Sequence, residues 1–122
     1  MRVIRLDAVP RRGIDSPGSA GFTVGALGIT ADAHLVVVRL RPRGVIGRHP
    51  AAGRQLLAVV SGEATVSGHD GVAVEIGPGQ AAVWEPNEPH ETRSEHGLTA
   101  LVVEGDLDIG GLAGAEAAVD AP

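Results

Sequence analysis

The sequence predicts an all-β domain, a sandwich or a closed barrel of jelly-roll type. Three observations carry that prediction. Residues 34–43 alternate strictly: His34, Val36, Val38 and Leu40 share one face, and Leu35, Val37, Arg39, Arg41 and Arg43 share the other. That is the period of two expected of a strand. Eighteen glycines and eight prolines are spread along the 122 residues, as in short strands joined by tight turns. No stretch keeps a helical period for more than a couple of turns. Apolar residues make up 43% but aromatic ones only 2%, so the core of this one domain must be Val, Leu, Ile and Ala.

The elements follow in order. Val3–Val9 reads as a strand closed by Pro10, and residues 10–20 read as a loop with two turn signals. Phe22–Ile29 reads as a strand weakened by Gly25 and Gly28, at an edge or bulged. These N-terminal strands suit pairing with a second subunit. In the run over 34–43 the apolar face turns to the core, and the arginine row forms a solvated exterior. His34 falls at the rim. Gln55–Val60 and Glu63–Ser67 are strands joined through Ser61-Gly62, and Asp70-Gly71 marks the next tight turn before Val72–Ile76. Ala81–Trp84, His90–Ser94 and Leu98–Glu104 complete the set, with His69 and His96 in exposed turns. The organisation is therefore an N-terminal segment over residues 1–33, a core over 34–104, and an acidic Gly/Ala-rich tail over 105–122. The tail is expected to be mobile, with one helical turn at most over Ala113–Val119.

Charge and composition exclude several functions. The net charge is −5, and the tail holds four acids and no base, which leaves ten arginines against eleven acids in the body. No basic footprint for nucleic acid or an anionic membrane results. Cysteine, lysine and tyrosine are all missing from the chain. Disulfides, thiolate nucleophiles, Schiff bases and phenolic acids are thereby removed. Arg5 and Asp7 interrupt the first apolar run, so a cytoplasmic protein is expected.

The chemistry-bearing residues sit in two stretches. Residues 44–62 place His49 and Gln55 six apart, ahead of an apolar strand. Residues 78–90 bring His90 out of the bend Trp84-Glu85-Pro86-Asn87-Glu88-Pro89. By strand parity Gln55 and Leu57 share a face, as do His90 and Thr92. If both faces turn inward, His49, Gln55, Leu57, Trp84, His90 and Thr92 line one mainly apolar pocket. Trp84 serves there as a core or rim anchor. Two imidazoles and a carboxamide suit Zn, Fe, Ni or Cu, with an open position for water or substrate. A carboxylate at the mouth, Glu85 or Glu88, is a candidate to complete the set.

Residues 34–104 resemble the cupins, small jelly-roll barrels with the motifs G-x5-H-x-H-x3,4-E-x6-G and G-x5-P-x-G-x2-H-x3-N. Against the first motif His49 and Gly62 match, Gly44 lies one residue close, Ala51 replaces the second histidine, and Gln55 replaces the glutamate. Against the second, Gly79 and His90 match, while Glu85, Asn87 and Ser94 stand for proline, glycine and asparagine. The resemblance implies a cupin-type jelly-roll β-barrel in which His49, Gln55 and His90 hold a divalent transition metal (Zn, Fe, Ni, Mn or Cu). The thinned ligand set favours a small-molecule-binding module over a metal-dependent dioxygenase, isomerase or lyase. A homodimer is expected, and neither nucleic acid nor membrane as partner.

Overall fold

Alternation and turn chemistry produce eleven strands in the computed structural model, which describes residues 1–14, 17–18, 20–21, 23–25 and 32–107. They are β1 (Arg2–Arg5), β2 (Arg11–Gly13), β3 (Thr23–Gly25), β4 (Ala33–Leu40), β5 (Gly44–Pro50), β6 (Arg54–Gly62), β7 (Ala64–Ser67), β8 (Val74–Ile76), β9 (Gln80–Trp84), β10 (Pro89–Ser94) and β11 (Leu98–Gly105). A five-stranded sheet, β1-β9-β6-β11-β4, faces a four-stranded sheet, β5-β10-β7-β8, in an all-β cupin-type jelly roll. β2 and β3 form a separate hairpin.

Four expectations are corrected. The first strand stops at Arg5, and Leu6–Ala8 makes a 3₁₀ turn. The expected loop over 10–20 contains β2. Gly44–Pro50, read only as a motif carrier, is a strand. Ser61-Gly62, expected as a turn joining two strands, lies within β6, and β6 and β7 belong to different sheets. β1 pairs with β9 of its own chain, where Val3 and Ile4 are buried. The ends of the expected Phe22–Ile29 strand and the helical turn over Ala113–Val119 lie outside the described residues, as does the tail from 108 onward.

The core follows from side-chain parity. Inward residues of the two sheets, among them Val3, Leu57, Val59, Val66, Ile76, Trp84 and Ala100, form one cluster between the sheets. A second cluster lies on the outer face of the larger sheet, where Ile4, Leu56, Ala81 and Val83 are covered by Val9 and Leu107. β9 and β6 are thus buried on both faces over much of their length. This explains why they read as continuous apolar runs, whereas β4 alternates. β4 is the edge of its sheet. Its inward Val38 and Leu40 are only half-buried, and Leu35 and Val37 are exposed at 68% and 59%.

Gly62 shows why a motif glycine is needed here. Its φ is +84°, and an added Cβ would collide with the carbonyl oxygen of Gly97 across the β6–β11 junction. Gly62→Ala should therefore lower stability by about 3 kcal/mol. Gly77→Ala, where a Cβ would meet nothing within 4 Å, should cost no more than about 0.5 kcal/mol. Denaturant unfolding of the two variants checks this, and equal losses would show that the junction tolerates a side chain.

Candidate functional site

The two candidate histidines are brought together by an irregularity that strand parity alone does not predict. β5 and β10 pair with His49 opposite His90 and Ile46 opposite Thr92, so Gly47 and Arg48 together face the single residue Glu91. This bulge adds one residue to β5. Ile46 and His49, three apart, consequently line the same cavity. Arg48 is turned away, with its guanidinium donating to the Gly68 carbonyl at 2.9 and 3.0 Å. Without the extra residue the register would set Arg48 opposite His90.

The cavity, about 190 Å³, is enclosed by Val36 and Val38 of β4, Val102 of β11, Gln55 and Leu57 of β6, Ile46 and His49, and His90 and Thr92 of β10. Val36, Val102 and Leu57 are direct cross-strand neighbours and make one apolar wall. The ring centroids of His49 and His90 lie 4.4 Å apart. His49 Nδ1 is 2.7 Å from the Gly47 carbonyl oxygen, and His90 Nδ1 is 3.1 Å from that of Glu88. A carbonyl only accepts, so each Nδ1 carries the hydrogen and each Nε2 is left free of those carbonyls. Burial pushes His90 below the ordinary imidazole range and His49 acts in the same direction, against the Glu88 carbonyl. His90 is therefore neutral at pH 7.

Gln55 donates its amide to Glu104 Oε2 at 3.0 Å, which leaves the amide oxygen as its remaining acceptor. Glu104 stands directly across from Gln55 on one side and His34 on the other. Sequence reading missed it. The only available signal was its parity with Val102 on β11, two residues from a position that gave no hint of facing a cavity.

Other expected residues are placed elsewhere. Trp84 does not line the cavity: it is fully buried, donates Nε1–H to the Ser67 carbonyl at 3.1 Å, and backs the His90 ring at 4.6 Å. Ala51, at the position of the missing motif histidine, is buried in the main core cluster. Glu85 is held by Arg54 and Arg2 at the surface.

Glu88 is committed to holding the bend. Its Oε2 accepts from the Met1 ammonium at 2.7 Å and from His69 N and Nδ1 at 3.0 and 3.1 Å, while Oε1 accepts from Glu85 N at 2.9 Å. Its carbonyl takes the Ala51 N–H at 3.0 Å as well as His90 Nδ1. Among the described residues, then, no third histidine or carboxylate joins His49 and His90 in one cluster. Of the cavity's lining residues, His49, His90 and Gln55 are those whose side chains could ligate a divalent metal, and imidazole ligands suit Zn, Fe, Ni or Cu better than oxygen-preferring Mn.

Desolvation raises the Glu88 carboxyl, but the hydrogen bonds from the ammonium, Glu85 N and His69 outweigh it and hold the group at about 2, below its ordinary 4.5. The anion's contribution is complete above pH 4.5 and disappears as pH falls through about 2. A gap of that size corresponds to about 3 kcal/mol. Glu88→Gln should lose that much at pH 7 and converge with the wild type between pH 4.5 and 2, read from denaturant midpoints across pH. A gap that persists unchanged at low pH would contradict the ion-pair account.

A family model described as Cupin domain matches residues 36–110. No curated protein matches the sequence. Among solved structures, the conserved SPY1581 protein of unknown function from Streptococcus pyogenes is similar at 23% identity, over 65% of this chain and 68% of that one, with a TM-score of 0.58. An RmlC-like cupin from Shewanella frigidimarina is similar at 18% identity over 80% and 84%, with a TM-score of 0.57. The DMSP lyase DddQ from Ruegeria pomeroyi is similar at 24% identity and a TM-score of 0.56, over 62% of this chain but only 40% of the lyase. These likenesses establish the fold. Among the described residues no helix is long and apolar enough to cross a membrane.

Proposed function

The chain belongs to the cupin domain family, and from that premise we propose that it binds a small molecule inside the barrel, between His49, His90 and Gln55. One observation carries this reading: both imidazoles line the cavity with Nδ1 tied to a backbone carbonyl, which fixes the two rings and leaves their Nε2 atoms for a guest within a mainly apolar wall. A few placed polar groups in apolar surroundings orient a guest and give it specificity. The volume, about 190 Å³, suits a small guest, part of which reaches solvent past the exposed His49 and Val36. Thr92 adds a hydroxyl, and Leu57 adds apolar contact.

A metal-dependent enzyme (dioxygenase, isomerase or lyase) acting on a small organic substrate is the second reading, and the same carbonyl-capped histidines favour it. A hydrogen-bonded Nδ1 is how metal-ligating histidines are usually oriented. His49, His90 and Gln55 would hold the ion, which would supply Lewis acidity at an open position. The Glu104 carboxylate would orient Gln55 without touching the ion.

We also propose a homodimer through β4. Among the described residues no strand lies beyond it, so its outer backbone groups are unpaired, and Leu35, Val36 and Val37 are exposed along it. The stretch Leu35–Val37 carries no charge, and an apolar edge of this kind is covered in stable proteins. Antiparallel pairing of β4 with a second copy is self-complementary.

Native mass spectrometry of untagged, chelator-free protein should show a stoichiometric adduct that falls at least tenfold in His49→Ala and in His90→Ala. An adduct mass matching a metal selects the second reading, one matching an organic molecule the first, and a bare wild-type chain overturns both. For the dimer, light scattering at micromolar concentration should report twice the chain mass, reduced to a monomer by Val37→Lys. A monomeric wild type refutes the β4 interface.

A further inference from the structure

The arginine row does face outward, and it borders a second cleft at the opposite end of the barrel. Arg39 of β4, Thr99 of β11 and Ser61 of β6 are direct cross-strand neighbours, and Arg41 follows two residues on. A bulge makes this row: Ala100 pairs with Val59 and Thr99 with Ser61, so Val60 is the extra residue and Ser61 is set beside Thr99. With His96 from the turn after β10, these side chains line a cleft of about 550 Å³ whose floor includes Leu98. The two linings share no residue, and their nearest members on β11, Thr99 and Val102, are three residues apart, about 10 Å at roughly 3.3 Å per residue. It is a separate site.

Every polar side chain lining the cleft is a donor: two guanidiniums, one imidazole and two hydroxyls. Among the described residues no carboxylate lines it. The two nearest in sequence are already engaged. Glu63 accepts from His96 N and the Ser94 hydroxyl at 2.7 and 2.9 Å, and Glu95 lies 3.8 Å from Arg43. Arg2, Arg5, Arg54 and Arg93 each pair with a carboxylate, and Arg48 is bound to a carbonyl. Arg39 and Arg41 have no such partner among the described residues, in a chain of net charge −5 that has acids to spare. Two unneutralised guanidiniums beside two hydroxyls form a donor set without its acceptor.

We propose that this cleft binds the phosphate group of a small molecule. Donors converging from three strands and a turn exceed what the two oxygens of a carboxylate accept, and they match the several oxygens of a phosphate. The cleft is open, so the rest of such a ligand extends into solvent or along Leu98 and Leu40. Binding depends on ionic strength because both guanidiniums are exposed.

The test is a titration of the wild-type protein with inorganic phosphate, followed by ¹H–¹⁵N NMR, with sodium chloride at matched ionic strength and sodium acetate as reference arms. Saturable shifts confined to residues 39–41, 61–62 and 96–99 are expected with phosphate and not with chloride or acetate. The double variant Arg39→Gln/Arg41→Gln, altered only at exposed positions, should raise the dissociation constant at least tenfold with the rest of its spectrum unchanged. Shifts that never saturate, that spread evenly over all arginines, or that survive the double variant overturn the proposal. An equal response to acetate also overturns it, since the cleft would then not select phosphate.

Discussion

The buried carboxylate of Glu88 is the constraint on which the site depends. A carboxylate removed from water must be surrounded by donors, and here four converge on it from the N-terminus, the turn at His69 and the Glu85 backbone. Those donors fix the bend between β9 and β10. Because the carbonyl of the same residue binds Ala51 N and His90 Nδ1, fixing the bend also fixes one histidine ring and joins the bend to the end of β5. Gly68 belongs to this arrangement, since a Cβ there would run into Glu88 Oε2.

The departures from the two cupin motifs become physically consistent around this group. A proline at 85 would have no N–H to give to Glu88, whereas Glu85 gives one. Asn87 stands where glycine is usual and has a φ of +67°, a conformation that asparagine tolerates better than other side chains. Ser94 replaces asparagine and still closes its turn, donating to Glu63 and accepting from Gly97 N. Gln55, standing where glutamate is usual, donates its amide to the Glu104 carboxylate one strand away. Only Ala51 has no substitute, because its position is packed into the core.

Two bulges divide the molecule's chemistry between its ends. The bulge in β5 takes Arg48 out of line with His90, and no guanidinium lines the interior cavity among the described residues. The one in β6 aligns Ser61 with Thr99 and Arg39, where charge stays in contact with water. Guanidiniums cost too much to desolvate unpaired, and imidazoles held by carbonyls do not. The placement of the guanidiniums at the surface and of the His90 ring inside follows from that difference.

The sequence by itself determined what depends on local pattern. Alternation over 34–43 set β4 and the outward face of Arg39, the Asp70-Gly71 turn set the β7–β8 hairpin, and the spacing of His49, Gln55 and His90 marked three residues that line one cavity. Tertiary structure decided what depends on register and on partners distant in the chain. Parity counting assumes an unbroken ladder, so it misses the residue inserted at Gly47-Arg48 that puts His49 opposite His90. It also could not foresee that Glu88 would be consumed by the Met1 ammonium, that Trp84 would stand behind His90, or that Glu104 would meet Gln55. Each of those contacts joins strands far apart in the sequence, and only the pairing of whole sheets brings them within hydrogen-bonding or packing distance.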